Sequence, residues 1–145
     1  MTIALLDVNV LVALADARHV HHELVHRWFA RQVRHGWATC PITQNGLVRI
    51  ISDPRYLGAG LLLAPALKYL QDLANSPGHT FWPDDVSLTQ PRFTHRAFQG
   101  HRQLTDAYLL GLAEHHDGQL ATLDRGLSAV VLASADPKRL VCLLP

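Results

Sequence analysis

Little in this chain of 145 residues points to a secreted, membrane-bound or strongly charged protein. It has two cysteines, Cys40 and Cys142, and no CxxC pair. That excludes a disulfide framework and makes a reduced, cytosolic setting the natural expectation. The N-terminus lacks a basic region followed by an apolar core and a small-residue cleavage site, and Asp7 interrupts its apolar run. The longest apolar stretch, residues 61–67, is far too short to span a bilayer. A cytoplasmic protein with no membrane partner is expected. The net charge is only +1 with histidines neutral, so strong electrostatic capture of nucleic acid does not follow from the total. A local basic patch stays open, and ten histidines add positive charge on mild acidification. Internal repeats, low-complexity tracts, a Walker phosphate loop, a serine nucleophile elbow and HExxH are all missing. Gly58-Ala59-Gly60 is no dinucleotide fingerprint.

What remains is a globular balance of 48% apolar and 17% charged residues. It fits a single domain over 1–145 with a real core. The opening stretch, Ile3-Ala4-Leu5-Leu6-Asp7-Val8-Asn9-Val10-Leu11-Val12, reads as a short buried strand, then Asp7, then an apolar helix. Burying a lone carboxylate in a central strand is costly. The cheapest place for Asp7 is the strand's carboxyl end, where open α/β sheets bind ligands.

Further along, a helix is predicted over 9–17 with Asn9 capping or beginning it, and a second over 21–34, stopped by Gly36. A strand is expected over 37–40. Pro41 ends it, and Thr43 caps a helix carrying Gln44, Leu47, Val48 and Ile51 as far as Asp53-Pro54. After a loop over 55–60, a helix over 61–75 tolerates Pro65 only near its start. Ser76-Pro77-Gly78 punctuates the chain before a strand over 80–82. Residues 84–92 read as irregular or as a short helical turn. A helix over 104–116, a strand over 119–123, a helix over 125–133 and a strand over 140–144 complete the pattern. Strands alternating with helices, joined by crossover-length connections, predict an α/β fold with a mainly parallel sheet.

Asp7 and Asp124 share a grammar: each follows a short apolar strand, so both reach the same sheet edge. Asp106 lies near the start of the helix feeding the Asp124 strand and can face that mouth. Three converging carboxylates repel one another unless a cation joins them. Oxygen ligands of this kind suit Mg²⁺, which keeps waters for catalysis. Each aspartate also has an ordinary use: Asp7 as a helix cap, Asp106 as a favourable first-turn charge or a partner of Arg102, and Asp124 as a turn residue.

Among other signals, His22 and His26 are four apart, but zinc would need further ligands. His115-His116-Asp117 reads as a helix terminus rather than an acid–base group. Arg92, His95, Arg96, His101, Arg102 and Arg125 are candidates for a basic rim that Arg49 closes, with ordinary surface charge as the alternative. Trp28 and Phe29 are adjacent; they serve either the core or, with Leu24 and residues 61–70, a groove for a partner helix.

The chain resembles the PIN-domain ribonuclease family, and is similar to the VapC toxins of bacterial toxin–antitoxin pairs. The resemblance rests on Leu5-Leu6-Asp7-Val8-Asn9 and on residues 39–49, Thr-Cys-Pro-Ile-Thr-Gln-Asn-Gly-Leu-Val-Arg. It is strongest from Leu104-Thr105-Asp106-Ala107-Tyr108 through Leu120-Ala121-Thr122-Leu123-Asp124-Arg125-Gly126. It implies a PIN-like three-layer fold, with a central mainly parallel sheet flanked by helices. It also implies a metal-dependent endoribonuclease using Mg²⁺ or Mn²⁺. By this carry-over Asp7, Asp106 and Asp124 are the acidic metal-site residues. Asn9 supports the site or the RNA, and Thr122 shapes the approach to Asp124. Arg102 and Arg125 are the substrate-binding candidates from the basic rim. The resemblance further implies an RNA substrate, such as a tRNA or ribosomal RNA, a VapB-like antitoxin and a homodimer.

The family pattern has a glutamate where this sequence has Gln44. Glutamine is nearly isosteric, and its carbonyl oxygen can touch a metal, but it carries no charge and cannot serve as an ionised base. Weakened metal binding and reduced cleavage are therefore expected. The alternative is a noncatalytic PIN-like protein that binds RNA or an antitoxin.

Overall fold

The computed structural model describes residues 2–56, 61–93 and 100–145. Its centre is β1 (Ala4–Leu6), three residues wholly buried. Beside it lie β2 (Trp37–Thr39), β3 (His79–Phe81), β4 (Gln119–Thr122) and β5 (Leu140–Cys142). The five strands run in the order β3-β2-β1-β4-β5, and every neighbouring pair is parallel. Side chains alternate across a strand, and this divides the core in two. Ala4 and Leu6 join Leu47, Ile51 and Ala66 on one face, while Leu5 joins Leu109, Leu112 and Leu120 on the other. The first face is covered by α1 (Val8–Ala15), α2 (His22–Gln32), α3 (Pro41–Ile51) and α4 (Leu63–Ala74); the second is covered by α5 (Leu104–His115). This is the expected three-layer architecture.

The chain steps outward from β1 through β2 to β3, then returns to place β4 on the other side of β1. That reversal opens a crevice at the carboxyl ends of β1 and β4, where such sheets bind ligands.

Several local expectations need correction. Helix α1 is capped by Asp7, whose Oδ1 accepts the Val8 N–H at 2.7 Å, so Asn9 lies inside the first turn. Pro41 opens α3 rather than only ending β2, because the N–H it lacks would be unpaired there anyway. Thr43 sits in the first turn; its hydroxyl accepts the Cys40 N–H at 3.0 Å and bonds back to the Cys40 carbonyl at 3.1 Å. Helix α2 stops at Gln32 and tightens into a 3₁₀ turn, Val33–His35, ended by Gly36 at φ 95°. Helix α4 begins at Leu63, which keeps Pro65 in its first turn. Strand β3 is shifted one residue earlier than expected. Strand β5 stops at Cys142, although Leu143 still donates to the Thr122 carbonyl at 2.9 Å.

The helix expected over 125–133 does not form. Leu127, Ala129 and Val131 are buried while Ser128 and Val130 are exposed, an alternation no α-helix produces. Only a 3₁₀ turn, Ala129–Val131, remains, and Leu132 bridges to Phe93. Trp28 and Phe29 both pack half-buried on the α1–α4 side of the sheet, with Phe29 edge-on to Trp37 at 5.0 Å. Of the expected loop over 55–60, residues 57–60 lie outside the described residues.

Candidate active site

Asp7 leaves β1 at the crevice and is 6% exposed. One carboxylate oxygen caps α1, and the other accepts the Thr122 hydroxyl from the end of β4 at 2.8 Å. The same Thr122 oxygen accepts the Asn9 amide at 3.2 Å and the Asp124 N–H at 3.1 Å. Asn9 in turn accepts the Leu123 N–H at 3.1 Å. Asn9 can reach across because Asp7 has taken over the capping. Asp124 turns the chain after β4, its Oδ1 accepting the Gly126 N–H at 2.7 Å. These bonds lock Asp7, Asn9, Thr122 and Asp124 together across the β1–β4 switch point.

Asp106 enters from the first turn of α5. With Asp7 it lines a cavity of about 600 Å³, walled on the α3 side by Asn45, Gly46 and Arg49. Burial pushes the Asp106 carboxyl up to about 6, helped by the negative charges of Asp7 and Asp124. Burial also raises Asp7, against the lowering effect of its bonds to Thr122 and Val8, while Asp124 adds to the rise. Asp124 is exposed and stands beside the cavity, and its charge is felt by both other aspartates. Such a donor set fits a hard divalent cation: all oxygen, all acidic, and costly to ionise together without one.

Gln44 is placed differently. Its Nε2 donates to Thr39 Oγ1 at 3.0 Å, and it lines a neighbouring cavity between α3 and α4, with Val48, Leu63, Leu67 and Leu70. The α3 residues lining the acidic cavity include Asn45, Gly46 and Arg49 but not Gln44. Gly46 permits that close approach, since a Cβ there would come within 2.6 Å of Val8 Cγ2. Sequence reasoning passed over Asn45 because it follows Gln44 on a helix whose phase was uncertain.

It also passed over Asp84, which lines the cavity together with Asp7 and Asp106. Burial raises the Asp84 carboxyl, opposed by a bond from the Cys40 thiol. Asp84 comes three residues after β3, as Asp7 comes one after β1 and Asp124 two after β4, and a carboxylate soon after a strand was the available signal.

The basic candidates do not gather at the cavity. Arg102 is exposed in the turn before α5, lining a separate hollow with His101. Arg125 donates from Nε to the Pro145 carbonyl at 3.2 Å. Arg92 is a structural clamp, held by Gln90 at 2.9 Å, the Gly111 carbonyl at 3.1 Å and Glu114 at 3.4 Å. His95 and Arg96 lie outside the described residues. Among the described candidates, Arg49 alone lines the acidic cavity.

His115 ends α5, with His116 as its C-cap and Asp117 at φ 53°, so the expected helix terminus is there. Both imidazoles face Asp85, and the three residues' ligand atoms lie within 4.8 Å of one another, close enough to coordinate a divalent metal.

The PIN domain family model matches residues 4–131, and the chain belongs to the PIN-domain family. Its relatives include Ribonuclease VapC44 of Mycobacterium tuberculosis, 42% identical over 141 residues, spanning 97% of this chain and 99% of that protein. Ribonuclease VapC38 of the same organism is 43% identical over 141 residues, with 97% of each chain covered. Ribonuclease VapC39 is 44% identical over 126 residues, covering 86% of this chain and 91% of that one. Among the described residues, no helix is long and apolar enough to cross a membrane.

Proposed function

We propose that this protein is a metal-dependent endoribonuclease of the VapC toxin class, cutting RNA phosphodiester bonds. The observation that carries the reading is the cavity at the carboxyl end of β1, lined by the carboxylates of Asp7 and Asp106, with Asp124 near enough for its charge to act on both. Asp7 and Asp106 would hold Mg²⁺ or Mn²⁺, with Asp124 bound directly or through water. The bound ion supplies a water of lowered pKa and neutralises charge developing on the phosphoryl group. The chain's own residues set the geometry. Thr122 fixes the Asp7 carboxylate by donating to it. Asn9 holds Thr122 and the backbone at Leu123, and so fixes where Asp124 departs. Arg49 at the cavity wall, with Arg102 and Arg125 farther out, meets RNA phosphates.

A structured RNA with an accessible unpaired segment, such as a tRNA or ribosomal RNA, is the substrate class. The kinship to VapC ribonucleases supports a VapB-like antitoxin and a homodimer as partners, in the cytoplasm. The apolar cavity between α3 and α4 is suited to a partner's helix.

One observation favours the noncatalytic alternative: α3 contains no acidic residue, and offers the amides of Gln44 and Asn45 instead. An RNA-cleavage time course with Mg²⁺ and then Mn²⁺, over tRNA and ribosomal RNA, separates the readings. The protein and its Gln44→Glu variant are run side by side. Chelator-sensitive cleavage by both is expected. Cleavage only by Gln44→Glu supports the binding protein, and cleavage by neither refutes the enzyme reading for this chain.

A further inference from the structure

We propose that Asp85, His115 and His116 form a second metal site, one for Zn²⁺ or a similar borderline transition metal. Consecutive residues of a continuous helix point about 100° apart, so adjacent histidines cannot normally share a ligand. Here the helix stops between them. His115 is the last residue of α5, His116 has left the helix at φ −91° and ψ 13°, and Asp117 turns left-handed at φ 53°. The break swings both rings onto one carboxylate, edge to face, with centroids 5.1 Å apart. His116 Nε2 lies 2.9 Å from Asp85 Oδ1, and His115 Nε2 lies 3.5 Å from Asp85 Oδ2.

The His116 ring is held in place. The buried Trp82 indole stacks on it at 4.5 Å and 9°. Trp82 is wedged in turn against Gly118, where a Cβ would come within 2.6 Å of the indole. His115 and Asp85 are more than a third exposed, which leaves an entry path and room for water as a fourth ligand.

The donor set decides the ion. Mg²⁺ and Ca²⁺ take oxygen ligands, whereas two imidazoles and a carboxylate suit tetrahedral zinc. With bonds of 2.0–2.1 Å, tetrahedral zinc spaces its donors about 3.4 Å apart. The two carboxylate–imidazole spacings, one to each Asp85 oxygen, lie within about half an ångström of that, and all the donor atoms lie within 4.8 Å of one another. The ion would fasten the loop after β3 to the end of α5. That loop also carries Asp84 into the acidic cavity. His115 lies nine residues beyond Asp106, roughly 14 Å along the helix, so the two sites take their ions separately.

The test is calorimetric titration of the metal-stripped full chain with Zn²⁺, with excess Mg²⁺ present to occupy the acidic cavity. Co²⁺ serves as an optical probe of tetrahedral geometry. One zinc equivalent is expected, with affinity at least tenfold weaker in Asp85→Asn and in His115→Gln. The double variant His22→Gln, His26→Gln should bind as the parent does; those two rings, 5.8 Å apart, are another close histidine pair. Equal affinity in every variant, loss only in the His22/His26 double, or no binding at millimolar zinc overturns the proposal. A readout on the unaltered protein guards against a variant that fails to fold. Co²⁺ should shift and broaden the imidazole resonances of His115 and His116, and if they stay sharp the site does not exist.

Discussion

Replacing Asp106 by Asn should make the metal-free protein more stable at neutral pH, although it damages the proposed ion site. Burial and the charges of Asp7 and Asp124 push the Asp106 carboxyl from its ordinary 3.8 up to about 6. At 1.36 kcal/mol per pH unit that rise corresponds to about 3 kcal/mol. The group is only half-buried, so solvent screening reduces the recoverable part to about 1–2 kcal/mol. The sign follows from proton counts. Between 3.8 and about 6 the folded state holds more protons than the unfolded chain, so stability falls as pH rises through that window. Above it, the ionised Asp106 imposes the whole cost. Asn carries no charge, so Asp106→Asn should raise the melting temperature by about 3–6 °C at pH 7.5 in chelator. The gain should shrink to about half at pH 5, where folded Asp106 is mostly protonated. Adding Mn²⁺ should reverse the order, stabilising the parent much more than the variant. Scanning calorimetry at both pH values, with chelator and then with Mn²⁺, reads all four states. A lower melting temperature for the variant in chelator, or equal Mn²⁺ stabilisation of both proteins, refutes the electrostatic argument.

Thr122→Val keeps the shape of a fully buried side chain but removes the donor to Asp7 and the acceptor for Asn9 and Asp124. Urea unfolding should show a loss of about 2–3 kcal/mol, and Mn²⁺ affinity should fall with it. Asn45→Asp puts a carboxylate at the wall of the acidic cavity, whereas Gln44→Glu puts one beside Thr39. Mn²⁺ titration should show both variants binding more tightly, Asn45→Asp by roughly tenfold and Gln44→Glu by less; the reverse order would mean that α3 presents a different face to the ion. Arg49→Ala should weaken RNA binding uniformly across sequences and reduce its salt slope by about 1, measured by filter binding at several salt concentrations.

The layered fold was legible because the central strands, buried on both faces, read as short apolar runs, and helices fill each gap from β1 to β4. The placement of Asp7 and Asp106 at one cavity, with Asp124 nearby, was legible for a related reason. A carboxylate directly after a buried strand, or in the first turn of the helix feeding one, has few cheap places to go. The failures are cases where tertiary packing decided. Residues 125–133 have helical composition, but 127–131 bury alternate side chains in the core on the α5 side of the sheet. Asn9 looked like a cap until Asp7 took that role, which released its amide for Thr122 and Leu123. Helix α3 starts at Pro41 rather than Thr43, so the phase of Gln44 and Asn45 could not be fixed from the sequence alone.

That phase matters beyond one residue. Pro41, Asn45 and Arg49 recur every four positions along α3 and line both the acidic cavity and the apolar cavity beside α4. One helical stripe therefore forms the wall between them. In the proposed function, a partner helix seated against Leu63, Leu67 and Leu70 would press on the same Asn45 and Arg49 that border the ion and the RNA phosphates. A basic group at the end of that helix would reach the carboxylates over this stripe, and an acidic group would instead draw Arg49 away from the substrate. Either contact would inhibit by electrostatics at short range, without a change in fold. Arg49→Ala separates the two. It would leave inhibition by a basic helix intact, and would abolish the part of inhibition that works by capturing Arg49.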